Sequence, residues 1–128
     1  LVAATLEAVV AQRLVRRICP DCRDFYAPDL GMLAELGVTA EELQGKKFAR
    51  GKGCATCHHL GFKGRMAIFE IMLVSEQVRG LIMDGVSTEQ IRSTARRQGM
   101  RTLRDAGLLA IYDGLTTVEE VLRETSVV

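Results

Sequence analysis

Near the start of the chain, apolar Val2, Leu6, Val9, Val10 and Leu14 recur at spacings of three and four, with Gln12, Arg13, Arg16 and Arg17 between them. This spacing predicts an amphipathic helix over residues 1–18. It should stop near Ile18, because Pro20 follows two residues later and a proline disfavours helix before it. Residues 19–65 lose that periodicity and hold both prolines and all four cysteines, a loop-rich texture. Within them Leu30–Leu36 and the capping box of Thr39 with Glu42 predict two short helices, and Lys46–Arg50 predicts a short strand. Met66–Val74 is too continuously apolar for a strand with one wet face, so a buried strand is expected. From Ser75 onward, N-cap residues Ser75, Ser87, Thr102 and Thr117 alternate with C-terminal Gly85, Gly99 and Gly114. Four short helices follow, with Gln90 and Glu120 completing capping boxes and the apolar faces meeting in one small core.

Composition adds little to that outline. The 128 residues carry 48% hydrophobic and 26% charged side chains, a balance typical of a globular chain with room for one ordinary domain or two small ones. Net charge is +1, so nothing global announces nucleic acid or an anionic membrane. The longest apolar run, Leu108–Tyr112, is far short of the roughly 20 residues that span a bilayer. The chain opens on Leu1 with neither Met nor a charged segment, which reads as a piece of a longer protein rather than a signal peptide.

The cysteines change the picture. Cys19-Pro20-Asp21-Cys22 and Cys54-Ala55-Thr56-Cys57 are two CxxC pairs with 31 residues between them. Each tight turn offers two thiolates on one side, half of a tetrahedral S4 site, and four soft thiolates suit zinc. Iron is the near alternative. Two disulfides or a thioredoxin-like dithiol are a rival, but a redox pair would want a βαβ context that the pattern lacks, and Cys54–His58 also spells the C-x-x-C-H haem motif but leaves the first pair unexplained. His58 and His59 read as exposed residues following a knuckle. Gly61-Phe62-Lys63-Gly64 imitates a nucleotide-clamping GXXG loop, yet a glycine-flanked turn explains it more simply. Arg92, Arg96, Arg97, Arg101 and Arg104 gather over two helix ends, as a solvated face or as a protein or lipid contact. No G-x-x-x-x-G-K-[ST] loop, G-x-S-x-G elbow or paired-carboxylate motif occurs, so no catalytic residue is expected in this stretch.

Taken in order, the motifs form a recognisable series. Ala11-Gln12-Arg13-Leu14-Val15-Arg16-Arg17-Ile18-Cys19-Pro20-Asp21-Cys22 comes first, then Gly53-Cys54-Ala55-Thr56-Cys57 and Gly61-Phe62-Lys63-Gly64-Arg65 with Ile68-Phe69-Glu70. Gly99-Met100-Arg101-Thr102-Leu103, Asp105-Ala106-Gly107-Leu108 and Gly114-Leu115-Thr116-Thr117-Val118-Glu119-Glu120-Val121 close it. Together they resemble the C-terminal portion of type II secretion and type IV pilus assembly ATPases over almost the whole chain. Leu60, where the family often has Thr, and Leu109 and Ala110, where a Lys is usual nearby, blur the choice between secretion and pilus subfamilies.

The resemblance implies a cytoplasmic homo-hexamer at a bacterial inner membrane, driving pseudopilus or pilus assembly through platform proteins and held to the membrane only through them. ATP and Mg2+ would belong to an upstream RecA-like core. Carried over by position, Cys19, Cys22, Cys54 and Cys57 hold zinc, and Gln12 and Arg13 lie near the nucleotide or a subunit boundary. The expected fold is α+β: residues 1–18 as the last helix of that core, 19–65 as a tetracysteine zinc module with short strands, and 66–128 as a strand and helical bundle. The rival reading is a stand-alone zinc ribbon that binds nucleic acid or protein. A nucleic-acid binder would be strongly basic, whereas residues 19–65 hold seven basic and six acidic side chains.

Overall fold

The computed structural model describes residues 5–126. Its elements run β1 (Ala8–Ile18), β2 (Arg23–Tyr26), α1 (Leu30–Leu36), α2 (Ala40–Leu43), β3 (Phe48–Gly51), β4 (Phe62–Leu73), α3 (Glu76–Met83), α4 (Thr88–Arg97), α5 (Leu103–Tyr112) and α6 (Val118–Thr125), a mixed α+β fold. The first finding is a correction: Ala8–Ile18 is a strand, not a helix. Residues 1–4 of the expected helix lie outside the described residues.

Tertiary pairing decides that segment. β1 runs antiparallel to β4 from Ala8 opposite Leu73 to Arg16 opposite Arg65, after which a register shift brings Ile18 opposite Phe62. Val9, Val10, Val15 and Ile18 are β-branched and fit a pleated surface, so once β4 supplies the ladder the three-and-four spacing loses its force. Helices α5 and α6 pack against this ribbon, and Val9, Ala11 and Met72 on one of its faces share an open cleft with Ile82, Ile91 and Met100 of the α3–α4 region. The opposite face leaves Val10, Leu14, Phe69, Ile71 and Leu73 between 47% and 70% exposed. The expected Met66–Val74 strand is thus present, lengthened, and covered on one side only among the described residues.

A second two-stranded sheet pairs β2 with β3, Arg23 opposite Gly51 and Tyr26 opposite Phe48. The short strand expected at Lys46–Arg50 lies at Phe48–Gly51, with Phe48 and Ala49 buried. Phe48 centres the main core with Leu33 and Leu36 of α1, Leu43 of α2, Ile111 of α5, and Val118 and Val121 of α6. Tyr26 meets the Phe48 ring edge-on at 6.3 Å. The single four-helix core expected downstream is therefore divided. The pair α5–α6 packs with the cysteine-bearing half, while α3 and α4 bury Val78 and Ala95 apart from that cluster.

The helix boundaries follow their caps. Ser75, Ser87, Thr102 and Thr117 each accept a backbone N–H three residues on, and Gly85, Gly99 and Gly114 take the positive φ expected beyond a helix end. The reciprocal half of the Thr117 box is diverted. Instead of reaching back to Thr117, the Glu120 carboxylate accepts the Arg16 backbone N–H at 2.9 Å, Arg16 Nε at 2.9 Å and Arg16 Nη2 at 2.8 Å. Thr116 Oγ1 donates to Arg16 O at 2.8 Å and Ile18 N donates to Leu115 O at 2.9 Å. Arg16 also lies 4.1 Å from the Phe62 ring centroid, and Arg123 adds a second guanidinium to Glu120. The start of α6 is thereby clipped to the end of β1.

Glu120 is 2% exposed, and although burial alone would raise its pKa, the hydrogen bonds and charge of Arg16, with Arg123 behind them, hold it below the usual carboxylate value. A depressed folded pKa contributes stability that is complete above the unfolded value of about 4.3 and lost as pH falls through the folded one. Glu120→Gln is expected to remove this acid-sensitive component, flattening the melting temperature between pH 5 and pH 3. Glu120→Ala should cost about 2–3 kcal/mol at pH 7, below the full cost of breaking a wholly buried pair because Arg16 is half-exposed. Chemical denaturation across pH measures both.

Candidate metal centre

The two cysteine pairs sit where the two small sheets meet. β1 ends at Ile18 and turns through Cys19–Cys22 into β2; β3 ends at Gly51 and passes through a single 3-10 turn, Ala55–Cys57, into β4. Backbone bonds lock the turns together, Cys19 N to Gly61 O at 3.0 Å and Lys52 N to Cys22 O at 3.1 Å. The approach is so close that a Cβ on Gly51 would stand 2.0 Å from Gly61 O, and Gly61 itself has φ +82°. Both positions require glycine for that reason.

All four thiols converge and none is disulfide-bonded. Their sulfurs lie within 4.8 Å of one another, with Cys19–Cys54 at 3.8 Å, Cys22–Cys57 at 3.8 Å and Cys54–Cys57 at 3.7 Å. A disulfide needs about 2.05 Å. A regular tetrahedron of sulfurs each about 2.3 Å from a central zinc has edges of about 3.8 Å, so the donor set and its spacing fit that ion. Cys19 and Cys57 are buried. The residues expected as ligands are brought together, while His58 and His59 are exposed in left-handed turn conformations and contribute nothing to the cluster.

Backbone amides prepare the sulfurs for negative charge. Cys57 Sγ accepts from Cys54 N at 3.3 Å and Gly61 N at 3.2 Å, and Cys22 Sγ accepts from Gly53 N at 3.3 Å. Burial pushes the Cys57 thiol up, but those two amides and the neighbouring thiols outweigh it and bring it down to about 6. At Cys22 burial prevails over the Gly53 amide and raises the thiol to about 11. One sulfur is thus poised as a thiolate and another must be deprotonated by the cation it meets.

Gln12 and Arg13, the other expected site residues, are not brought together. They are neighbours on a strand and face opposite ways, Gln12 across from exposed Phe69 and Arg13 across from buried Ile68 beside the α4–α5 surface. Sequence reasoning passed over Gly51, which makes the cysteine turns possible, and the Arg16–Glu120 clip. The Gly-rich spelling around the second pair was a signal for the glycine; nothing at a separation of 104 residues signalled the clip.

Comparison with known proteins accords with this geometry. The sequence pattern of the Type II/IV secretion system protein family matches residues 1–123. The chain belongs to that family. It is 44% identical over 124 residues to the type IV pilus assembly ATPase PilB of Thermus thermophilus, covering 97% of this chain and 14% of the relative. Type II secretion system protein E of Pseudomonas aeruginosa is 38% identical over 125 residues, covering 98% of this chain and 24% of the relative. The HofB homologue of Escherichia coli, a protein transport protein, is 37% identical over 128 residues, covering 96% and 25%. This family member thus spans about a seventh to a quarter of the length of these curated relatives. Among the described residues no helix is long and apolar enough to cross a membrane.

Metal binding must displace at least the Cys22 proton, so affinity should rise with pH and drop steeply below about 6, where Cys57 also takes up a proton. Competition titrations against a chromophoric chelator between pH 5.5 and 8 check this, together with a stoichiometry of one zinc per chain. Gly51→Ala, whose Cβ would collide with the Gly61 backbone, is expected to weaken zinc at least about tenfold without touching a ligand.

Proposed function

We propose that this chain is the zinc-binding and helical part of a hexameric secretion or pilus-assembly ATPase, in which ATP hydrolysis in a RecA-like core is coupled to pseudopilus or pilus assembly. The similarity over nearly the whole chain to proteins named as pilus assembly ATPases and type II secretion protein E carries this reading. The core, with its ATP and Mg2+, would lie in the part of the relatives that this chain does not span. The exposed apolar face of the β1–β4 ribbon suits a surface that continues into such a core. Gln12 and Arg13 would then stand near a subunit boundary, and the assembly would work in the cytoplasm against platform proteins of the inner membrane.

In this proposal the chemistry of Cys19, Cys22, Cys54 and Cys57 is structural. Four thiolates would hold zinc and close every coordination position, leaving none for substrate. What the chain's own residues do is mechanical. The Cys19 and Cys22 turn is pinned to Gly61 and Lys52, β1 is clipped by Glu120 to α6, and α6 shares its core with β3. A displacement of the ribbon is carried into α5 and α6 through packed, hydrogen-bonded contacts rather than through a flexible tether.

Structural zinc contributes on the order of 10 kcal/mol to the segment that folds around it, comparable to a domain's whole stability. Chelation or Cys54→Ser is expected to abolish hydrogen-exchange protection at residues 19–26 and 48–61 and to weaken it in α5–α6, which share the Phe48 core, while α3 and α4 stay protected. In the full-length ATPase the same variant should depress assembly-coupled turnover more than nucleotide binding. Protection unchanged at the cysteine turns, or nucleotide binding lost in parallel with turnover, would sink the proposal.

A further inference from the structure

Away from the cysteines, four guanidinium groups from three elements line one cleft of about 420 Å3. Arg13 comes from β1, Arg92 and Arg96 from α4, and Arg104 from α5, with Glu70 and Glu124 as the acidic members. The chain carries thirteen arginines, and four of them line this one cleft. The two acids leave the four arginines with a local surplus of positive charge. Glu70 Oε1 accepts the Leu103 backbone N–H at 2.9 Å, and Glu124 stands 3.5 Å from Arg123.

The arginines differ in what they already hold. Arg104 donates to Thr125 Oγ1 at 2.6 Å and to Glu35 O at 3.4 Å, both neutral acceptors, and Arg96 makes only a long contact to Asp105 at 3.9 Å. Arg13 and the half-buried Arg92 have no hydrogen-bond or ion-pair partner among the described residues. Like charges gathered in a concave, partly desolvated site repel one another, and a multivalent anion relieves that repulsion. The guanidinium fork matches phosphate oxygens two at a time. The cleft volume falls within the roughly 300–1,000 Å3 of small-ligand sites.

We propose that this cleft binds a phosphate group, through Arg13 and Arg92 as the principal forks with Arg96 and Arg104 closing around it. The phosphate has two conceivable sources, a soluble ligand or a lipid headgroup, and both present the same chemistry to the four arginines.

The test is an NMR titration of the 128-residue chain with inorganic pyrophosphate, beside co-sedimentation with phosphatidylglycerol vesicles. Saturable shifts confined to Arg13, Arg92, Arg96 and the start of α5, weakened about tenfold or more by Arg13→Gln or Arg92→Gln, are the expected result. Arg92→Lys, which keeps charge and stem but loses the fork, should fall between, and keeps the test valid if Arg92→Gln misfolds. Arg17→Gln, on the exposed part of β1 outside the cleft, should bind as the parent does. Sedimentation that depends on Arg92, without saturable pyrophosphate binding, would assign the phosphate to a headgroup. Absence of saturable binding in both arms, or equal weakening by Arg17→Gln, would show a merely basic surface and overturn the proposal.

Discussion

Two-stranded sheets are marginal in water, and this fold is built on two of them. What joins them is the pair of cysteine turns where both sheets end, bonded to one another from Cys19 N to Gly61 O and from Lys52 N to Cys22 O. The ribbon of β1 and β4 and the small β2–β3 pair are each left and entered through a cysteine turn, so these backbone bonds hold the angle at which one sheet hands the chain to the other. The main core lies beside that junction: β3 runs into the second cysteine turn with Phe48 at its start, and Phe48 packs with Ile111 of α5 and Val121 of α6.

The Glu120 clip extends this constraint to the other side of the ribbon's end. A β-strand that shifts register leaves a backbone donor without its ladder partner, and a buried unpaired N–H is costly. Here the Arg16 N–H finds a carboxylate from α6, and the same side chain's guanidinium neutralises it. The irregularity in the strand and the burial of an acid solve one another. Three residues beyond lies Cys19, so the place where the strand is tied to the helices and the place where it enters the cysteine cluster are effectively one joint.

The legible parts of this protein were those written locally. N-caps Ser75, Ser87, Thr102 and Thr117, the Thr39 start of α2 and the two CxxC turns each depend on residues within four positions of one another, and each was found where the sequence put it. β1 was misread because its periodicity is ambiguous over so short a run. Val9, Val10 and Leu14 satisfy a helical stripe, while Val10, Gln12, Leu14 and Arg16 satisfy a strand face, and only β4, some fifty residues away, breaks the tie. β2 carried too few apolar positions to be read at all. Glu120 reads as a cap because a glutamate three residues after a threonine usually is one, and the rival donors on Arg16 are invisible along the chain.

The way Phe48 is shared bears on how this protein is divisible. Its ring is closed in by side chains from both sides of residue 65, so the cysteine-bearing half has no complete interior of its own. Cutting the chain after β4 would strip one wall from that interior and leave Leu33, Leu36 and Leu43 facing water, whatever ion the sulfurs retained. The tetracysteine half is consequently not a cassette that recombination could move intact between unrelated proteins. It would have to travel with α5 and α6, and the separation of the chain at residue 65 that its composition suggests is a boundary of texture, not of folding.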